Sequence, residues 1–234
     1  MHTDSSLAQQ IDALAHELYA PDAPGAALIA VRDGETILRR GYGMAQLELG
    51  VAIEPEMVFR IGSITKQFTA VAILMLAGQG RLALNDPITR FLPDYPMGDA
   101  RITVEHLLTH TSGIRSYTDM PEWLPLWRKD FTLTELIGLF KNEPMRFAPG
   151  TRWAYNNSGY ILLGAMIEAV SGVSYESFLQ QHIFDPLGMR HSCYDNTLRI
   201  VSGRVAGYEK EPDGYRNAEY LSMTQPHAAG ALAS

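Results

Sequence analysis

The apolar positions of this chain fall in two rhythms. Residues 7–19 (LAQQIDALAHELY) place apolar side chains three and four apart, and that spacing predicts an amphipathic helix. Ala26–Val31 (AALIAV) and Glu35–Arg40 (ETILRR) read as strands. Asp33-Gly34 between them is a hairpin signal, because both central turn positions favour positive φ. The preceding helix is placed to cover one face of that hairpin. The stretch SITKQFTAVAILMLAGQG, beginning at Ser63, has a different character: Phe68, Val71, Ile73, Leu74, Met75 and Leu76 leave almost no polar stripe. A helix apolar nearly all round is expected at the centre of a protein, and Gly78 and Gly80 are placed to end it.

Further along, Asp86-Pro87 predicts an N-cap followed by proline at the first helical position. Thr103–Leu108 reads as a short helix running into a Thr-Ser-Gly turn, and Thr132 with Glu135 has capping-box spacing before another helix. Ser158–Val170 and Tyr175–Phe184 read as two more helices separated by Ser171-Gly172, and from Val205 the pattern turns to strands and loops. Residues 1–60 and 205–234 are therefore expected to form a partial sheet subdomain, and residues 61–204 a helical subdomain. Two strands alone make a marginal sheet. The expectation is a sheet completed by a further C-terminal segment or by a second chain.

Composition narrows the function classes. With 234 residues, 46% hydrophobic and 19% charged, the chain has a globular balance and enough length to bury a core without disulfides. A net charge of −7 with no basic run argues against a nucleic-acid partner. The N-terminal MHTDSSLAQQ lacks a signal-peptide pattern, and no uncharged apolar run reaches membrane-spanning length. As it stands the sequence reads as cytoplasmic, without a membrane span; a secreted or periplasmic chain whose leader had been removed would read the same. Cys193 is the single cysteine, cannot form an internal disulfide, and reads as a small apolar residue.

Three groups of residues bear chemistry. Ser63-Ile64-Thr65-Lys66 is an S-x-x-K at the start of the apolar helix, which puts both side chains on one face. The helix N-terminus stabilises a developing oxyanion, and a lysine held against apolar surroundings gives up its proton more readily. Roughly 0.2 such matches are expected by chance in a chain of this composition, so position carries the argument. The plain alternative is that Ser63 caps the helix and Lys66 reaches to solvent. Tyr155-Asn156-Asn157 follows a Pro-Gly turn: a tyrosine whose pKa is lowered by an ammonium exchanges protons, and Asn157 is placed to accept from Lys66 and to donate to a substrate carbonyl. Its plain alternative is a packed tyrosine and a turn-forming asparagine. His106 and His110 have a spacing that suits two metal ligands, but H-E-x-x-H is absent and Thr111-Ser112-Gly113 ends the helix, so His110 bonding loop backbone is the expectation and no metal. G-x-S-x-G is absent, against an α/β-hydrolase.

These motifs, with LLTHTSGI (Leu107–Ile114), FAPGTRWAYNNSGYILLG (Phe147–Gly164) and PLGM (Pro186–Met189), resemble the serine β-lactamase-like superfamily, on its class C β-lactamase, D,D-peptidase and family VIII esterase branch. The resemblance runs from about Gly25 to the end. It implies a mixed α+β, β-lactamase/transpeptidase-like fold: an antiparallel sheet flanked by helices plus a helical subdomain, the sheet incomplete in this chain. It also implies an acyl-forming Ser63, whose N–H forms half an oxyanion hole. Lys66 and Tyr155 share the proton, Asn157 orients Lys66 and binds substrate, and no cofactor takes part. The substrate class is a small ester, amide or β-lactam, with the ester slightly ahead; Tyr117, Trp123 and Trp127 are candidates to wall an acyl pocket. The alternative is a relative that acylates without turnover, or an inactive fragment. The family's third motif, K-T-G or H-x-G on a later strand, has no counterpart here. His227-Ala228-Ala229-Gly230 has H-x-x-G spacing and resembles an earlier glycine-rich loop. The chain is therefore expected to be an N-terminal fragment.

Overall fold

The computed structural model describes residues 2–96, 98 and 100–234. In chain order its elements are α1 (His2–Leu18), β1 (Ala26–Arg32), β2 (Glu35–Tyr42), β3 (Met44–Gln46), β4 (Val51–Ala52), α2 (Thr65–Gly78), α3 (Val104–Leu108), α4 (Leu133–Phe140), α5 (Asn157–Ser171), α6 (Tyr175–Leu179), β5 (Cys193–Tyr194), β6 (Tyr208–Glu211), β7 (Gly214–Asn217), α7 (His227–Gly230) and β8 (Leu232–Ala233). The fold is mixed α+β with short antiparallel strand pairs. It divides into two compact units: the chain up to Phe59 with Val201–Glu219, and Arg60–Ile200 with Tyr220–Ser234. Among the described residues no single helix is long and apolar enough to cross a membrane.

In the first unit the hairpin forms as its turn chemistry dictates. Asp33 and Gly34 both take positive φ, 52° and 85°, the conformation that matches the twist of the flanking strands. β1 and β2 pair antiparallel from Ala26↔Tyr42 to Arg32↔Glu35, with a bulge between Ala30 and Val31. α1 lies on this pair: Asp12 accepts from the Tyr42 hydroxyl (2.6 Å) and from the Arg40 guanidinium (3.0 Å). The Tyr42 hydrogen bond and then the Arg40 charge hold the Asp12 carboxyl below its ordinary pKa, against some desolvation. Burial and the same Asp12 bond push Tyr42 up to about 12.

The second unit is organised around α5. Its residues from Ser158 to Ile167 are all buried, and it packs against α2, α3, α4, α6 and α7. The helix expected at the centre, α2, is not buried all round. Thr65, Lys66, Thr69, Ala72, Ile73 and Leu76 face inward, while Val71 and Leu74 remain about half exposed. Apolar content marks a helix as a core builder but does not say how many neighbours surround it. The capping boxes form at Thr132 with Glu135, as the spacing predicts, and at Thr103 with His106, which the sequence pattern did not single out. Pro87 sits at the cap of a short 3₁₀ turn (Ile88–Arg90) rather than inside a helix, and Asp86 accepts from the Ala83 N–H and pairs with Arg90. The helix predicted over Tyr175–Phe184 is α6 followed by a π-turn (Gln180–Phe184).

The terminal residues Tyr220–Ser234 fold into this second unit. β8 pairs with β5, and α7 seats against α2 and α5. Close approach of α7 to α5 requires glycine at 164, where an added Cβ would lie 2.6 Å from the Ala228 Cβ.

Candidate active site

Ser63 lies in a one-turn 3₁₀ segment (Gly62–Ile64) that leads directly into α2. Gly62 before it takes positive φ (50°), so the chain swings into the turn with Ser63 exposed. The Ser63 side chain does not cap α2: Ile64 is the cap residue and no side-chain cap bond forms. Lys66 does not reach solvent either, being only 7% exposed. The two plain alternatives for the S-x-x-K motif are thus unoccupied.

The Ser63 Oγ accepts from the Tyr155 hydroxyl at 2.6 Å and from Lys66 Nζ at 3.2 Å. Lys66 Nζ also donates to Asn157 Oδ1 (2.9 Å) and to the Ala229 carbonyl (2.7 Å), and it stands 4.7 Å over the Tyr155 ring. Burial lowers the pKa of Lys66 from its ordinary 10.5, and the neighbouring Tyr155 opposes that shift. The four residues singled out in the sequence, Ser63, Lys66, Tyr155 and Asn157, therefore meet around one ammonium group.

The hydrogen bonds constrain the lysine further. An ammonium has three N–H donors, and the three acceptors here match it. A neutral amine keeps two N–H groups and a lone pair. Asn157 Oδ1 and the Ala229 carbonyl can only accept, while the Ser63 hydroxyl alone can reverse and donate. Loss of one proton from Lys66 thus leaves its lone pair facing Ser63. Asn157 is held in this orientation by its own Nδ2, which donates to Thr118 Oγ1 (3.0 Å), and by its N–H on Ser116 Oγ (3.1 Å).

A cavity of about 280 Å³ opens beside Ser63, lined by Arg60, Tyr117, Trp123, Leu221, Met223 and Pro226 among others. Tyr117 and Trp123 therefore wall the site. Trp127 is not among the lining residues, and its carbonyl accepts the Ser222 N–H (2.9 Å). Buried Gln225 fixes both aromatic walls: its carbonyl accepts from the Tyr117 hydroxyl (2.7 Å) and its Oε1 from Trp123 Nε1 (2.6 Å). Arg60 ion-pairs with fully buried Asp195 at 2.6 Å.

The histidines take backbone partners. His106 Nδ1 accepts from the Thr103 N–H and His110 Nδ1 from the Asn156 N–H. Among the described residues no group of three or more His, Cys, Asp or Glu side chains converges to hold a metal. His227–Gly230 contributes main-chain groups instead, the Ala229 carbonyl to Lys66 and the Ala228 carbonyl to Thr69. These carbonyls, with Ser116, Thr118 and Gln225, were not anticipated from the sequence. A carbonyl carries no residue-type signal, and a Ser-Tyr-Thr loop has too many ordinary uses to stand out.

The Beta-lactamase family model matches residues 9–234. The chain belongs to the beta-lactamase family. It is 36% identical over 208 residues to the putative penicillin-binding protein PbpX of Bacillus subtilis (strain 168), covering 89% of this chain and 51% of that one. It is 34% identical over 206 residues to protein flp of Staphylococcus aureus (strain MW2), covering 86% of this chain and 41% of that one. The chain thus spans about half or less of the length of these curated relatives. The structure of a D-amino acid amidase from Ochrobactrum anthropi SV3 superposes with a TM-score of 0.85 at 28% identity, covering 98% of this chain and 68% of that one. A serine-hydrolase family of β-lactamase-like, penicillin-binding-protein-like type is the setting in which the site is read.

Proposed function

We propose that the protein is a serine hydrolase that forms an acyl-enzyme at Ser63 with small esters, amides or β-lactams. The observation that carries this reading is Ser63 Oγ within hydrogen-bond reach of both Lys66 Nζ and Tyr155 OH. In the forward step the Ser63 oxygen bonds to the acyl carbon and its proton passes to the Lys66–Tyr155 pair. The same pair returns that proton to the departing alcohol or amine as the carbonyl re-forms. Water then attacks the acyl-enzyme by the reverse logic. The Ser63 N–H at the start of α2 is assigned to the oxyanion, and Asn157 to Lys66 orientation and substrate binding. The related penicillin-binding protein and D-amino acid amidase support acyl transfer as the reaction type; the choice among ester, amide and lactam is made by substrate profiling.

The test is mass analysis and peptide mapping after reaction with a fluorophosphonate, followed by hydrolysis assays on aryl esters, D-amino acid amides and a chromogenic β-lactam. The expected result is one adduct at Ser63, absent in Ser63→Ala, with turnover of at least one class. A Ser63→Ala protein that hydrolyses these substrates at the original rate would sink the assignment. A stoichiometric Ser63 adduct without turnover would make the protein an acyl-binding relative instead.

A further inference from the structure

We propose that His110 is a positioning residue that holds Tyr155 against Ser63 by gripping the chain on both sides of the tyrosine. The proposal rests on the reading of Tyr155 as a proton carrier. Residues 152–156 belong to no helix or strand, so no ladder of main-chain bonds fixes Tyr155. His110 takes over that task with three contacts. Its carbonyl accepts the Ala154 N–H at 3.0 Å, its ring Nδ1 accepts the Asn156 N–H at 3.1 Å, and its ring lies 4.8 Å from the Tyr155 ring at a 38° tilt. The N–H groups two apart in an extended segment point to one side. His110 meets both, with a side-chain nitrogen standing where a neighbouring strand would offer its second carbonyl.

The backbone geometry fits this use. His110 has φ 59°, a left-handed conformation uncommon for residues other than glycine and several-fold enriched in asparagine, aspartate and histidine. Tyr160 packs 5.1 Å from the ring and Trp153 approaches edge-on at 6.1 Å, so the half-buried ring is flanked as well as bonded.

The contact also fixes a protonation state. An N–H can only donate, so Nδ1 must carry a lone pair and the ring proton must sit on Nε2. The titratable groups facing His110 are Lys66 on α2, Tyr155 on the loop and Tyr160 on α5; His106 lies one turn back on its own segment. Burial and then the Lys66 charge hold His110 below its ordinary 6.5, favouring the neutral ring. Once protonated, Nδ1 becomes a donor facing a donor and the grip on Asn156 is lost.

The experiment compares the protein with His110→Ala and His110→Asn, after circular dichroism and melting have shown which variants fold. Asparagine tolerates the left-handed backbone and offers Oδ1 near the place of Nδ1. The fluorophosphonate labelling rate of Ser63 is expected to fall about 10–100-fold in His110→Ala and to stay within about fivefold of the original in His110→Asn. The ratio of His110→Asn to original rate should rise as pH falls below 6.5, because of the two side chains compared at position 110 only the histidine protonates; taking the ratio cancels titrations common to both proteins, those of Lys66 and the other histidines among them. Nitrogen NMR of histidine-labelled protein should show His110 as the Nε2–H tautomer. Unchanged labelling in folded His110→Ala, an asparagine variant as slow as the alanine one, or an Nδ1–H tautomer would each overturn the proposal. Should His110→Ala fail to fold, the pH-dependent ratio and the tautomer decide. An original protein that never labels at Ser63, yet shows the Nε2–H tautomer, would overturn the Ser63 reading and leave the grip on Asn156 standing.

Discussion

Gly164 and Gly138 both lie inside helices, and the same substitution should stabilise at Gly138 but not at Gly164. Replacing a helical glycine with alanine typically stabilises by about 1 kcal/mol, because the unfolded chain loses freedom and the helix is favoured. At Gly138 on α4 nothing lies within 4 Å of the new Cβ, so that gain is retained. At Gly164 on α5 the new Cβ would stand 2.6 Å from the Ala228 Cβ and 3.1 Å from His227 Nε2. Carbon atoms rest at about 3.5–4.0 Å, so α7 must retreat by roughly 1 Å. Overpacking of this kind costs about 1–3 kcal/mol, which cancels or exceeds the helical gain. Relative to Gly138→Ala, Gly164→Ala should therefore be less stable by about 1–3 kcal/mol, or roughly 2–12 °C in melting temperature for a chain of this size.

The displacement also reaches the site. α7 carries the Ala229 carbonyl that accepts from Lys66 and the Ala228 carbonyl that accepts from Thr69. Gly164→Ala should therefore slow fluorophosphonate labelling of Ser63, whereas Gly138→Ala should leave it unchanged. Thermal melts and labelling time courses on the two variants make the assay. Equal melting temperatures with equal labelling would refute the reasoning, since they would mean that α7 does not rest on Gly164 as described.

Lys66→Arg keeps a positive charge that does not dissociate, and should slow Ser63 labelling by about 10²–10⁴. With lysine in place, labelling should rise with pH through a value below 10.5, because burial makes the neutral amine available earlier; a limb centred at 10.5 or above would contradict this. His227 is buried, held at about 4 by desolvation, and its Nε2 has no hydrogen-bond partner. Its folded pKa lies below the unfolded 6.5, so its neutral burial is fully tolerated above pH 6.5. Stability is lost as pH falls towards 4, on the order of 3 kcal/mol over that window. Denaturant melts of His227→Gln should show a flatter dependence between those two values, and an unchanged slope would argue against it. Thr132→Ala removes the side chain that accepts from the Glu135 N–H (3.2 Å) and should cost about 1 kcal/mol without changing Ser63 labelling, as melts and labelling together would show.

What the sequence made legible was chemistry that a few adjacent residues complete among themselves. Asp33-Gly34 can form its turn alone, Thr132 and Glu135 can satisfy each other's N–H groups, and Ser63 and Lys66 share a helical face by spacing. Tyr155 and Asn157 stood out by their side-chain chemistry, an exchangeable proton and an acceptor for Lys66, and the family resemblance tied that pair to the S-x-x-K. What stayed hidden depends on partners distant in the chain. α2 and α5 are both strongly apolar, yet only α5 has neighbours on every side, and periodicity counts apolar positions without counting neighbours. The third acceptor for Lys66 is a carbonyl 163 residues away, a group every residue possesses. His110 illustrates the same limit. Its spacing from His106 invited a comparison with metal ligands, whereas its left-handed backbone, which sends its carbonyl and its ring nitrogen to alternate N–H groups around Tyr155, leaves no mark in residue type. Several of the hidden features of this site are thus main-chain ones. Substitutions that move backbone, at Gly164 or His110, should consequently disturb Ser63 more than many changes to side chains lining the cavity.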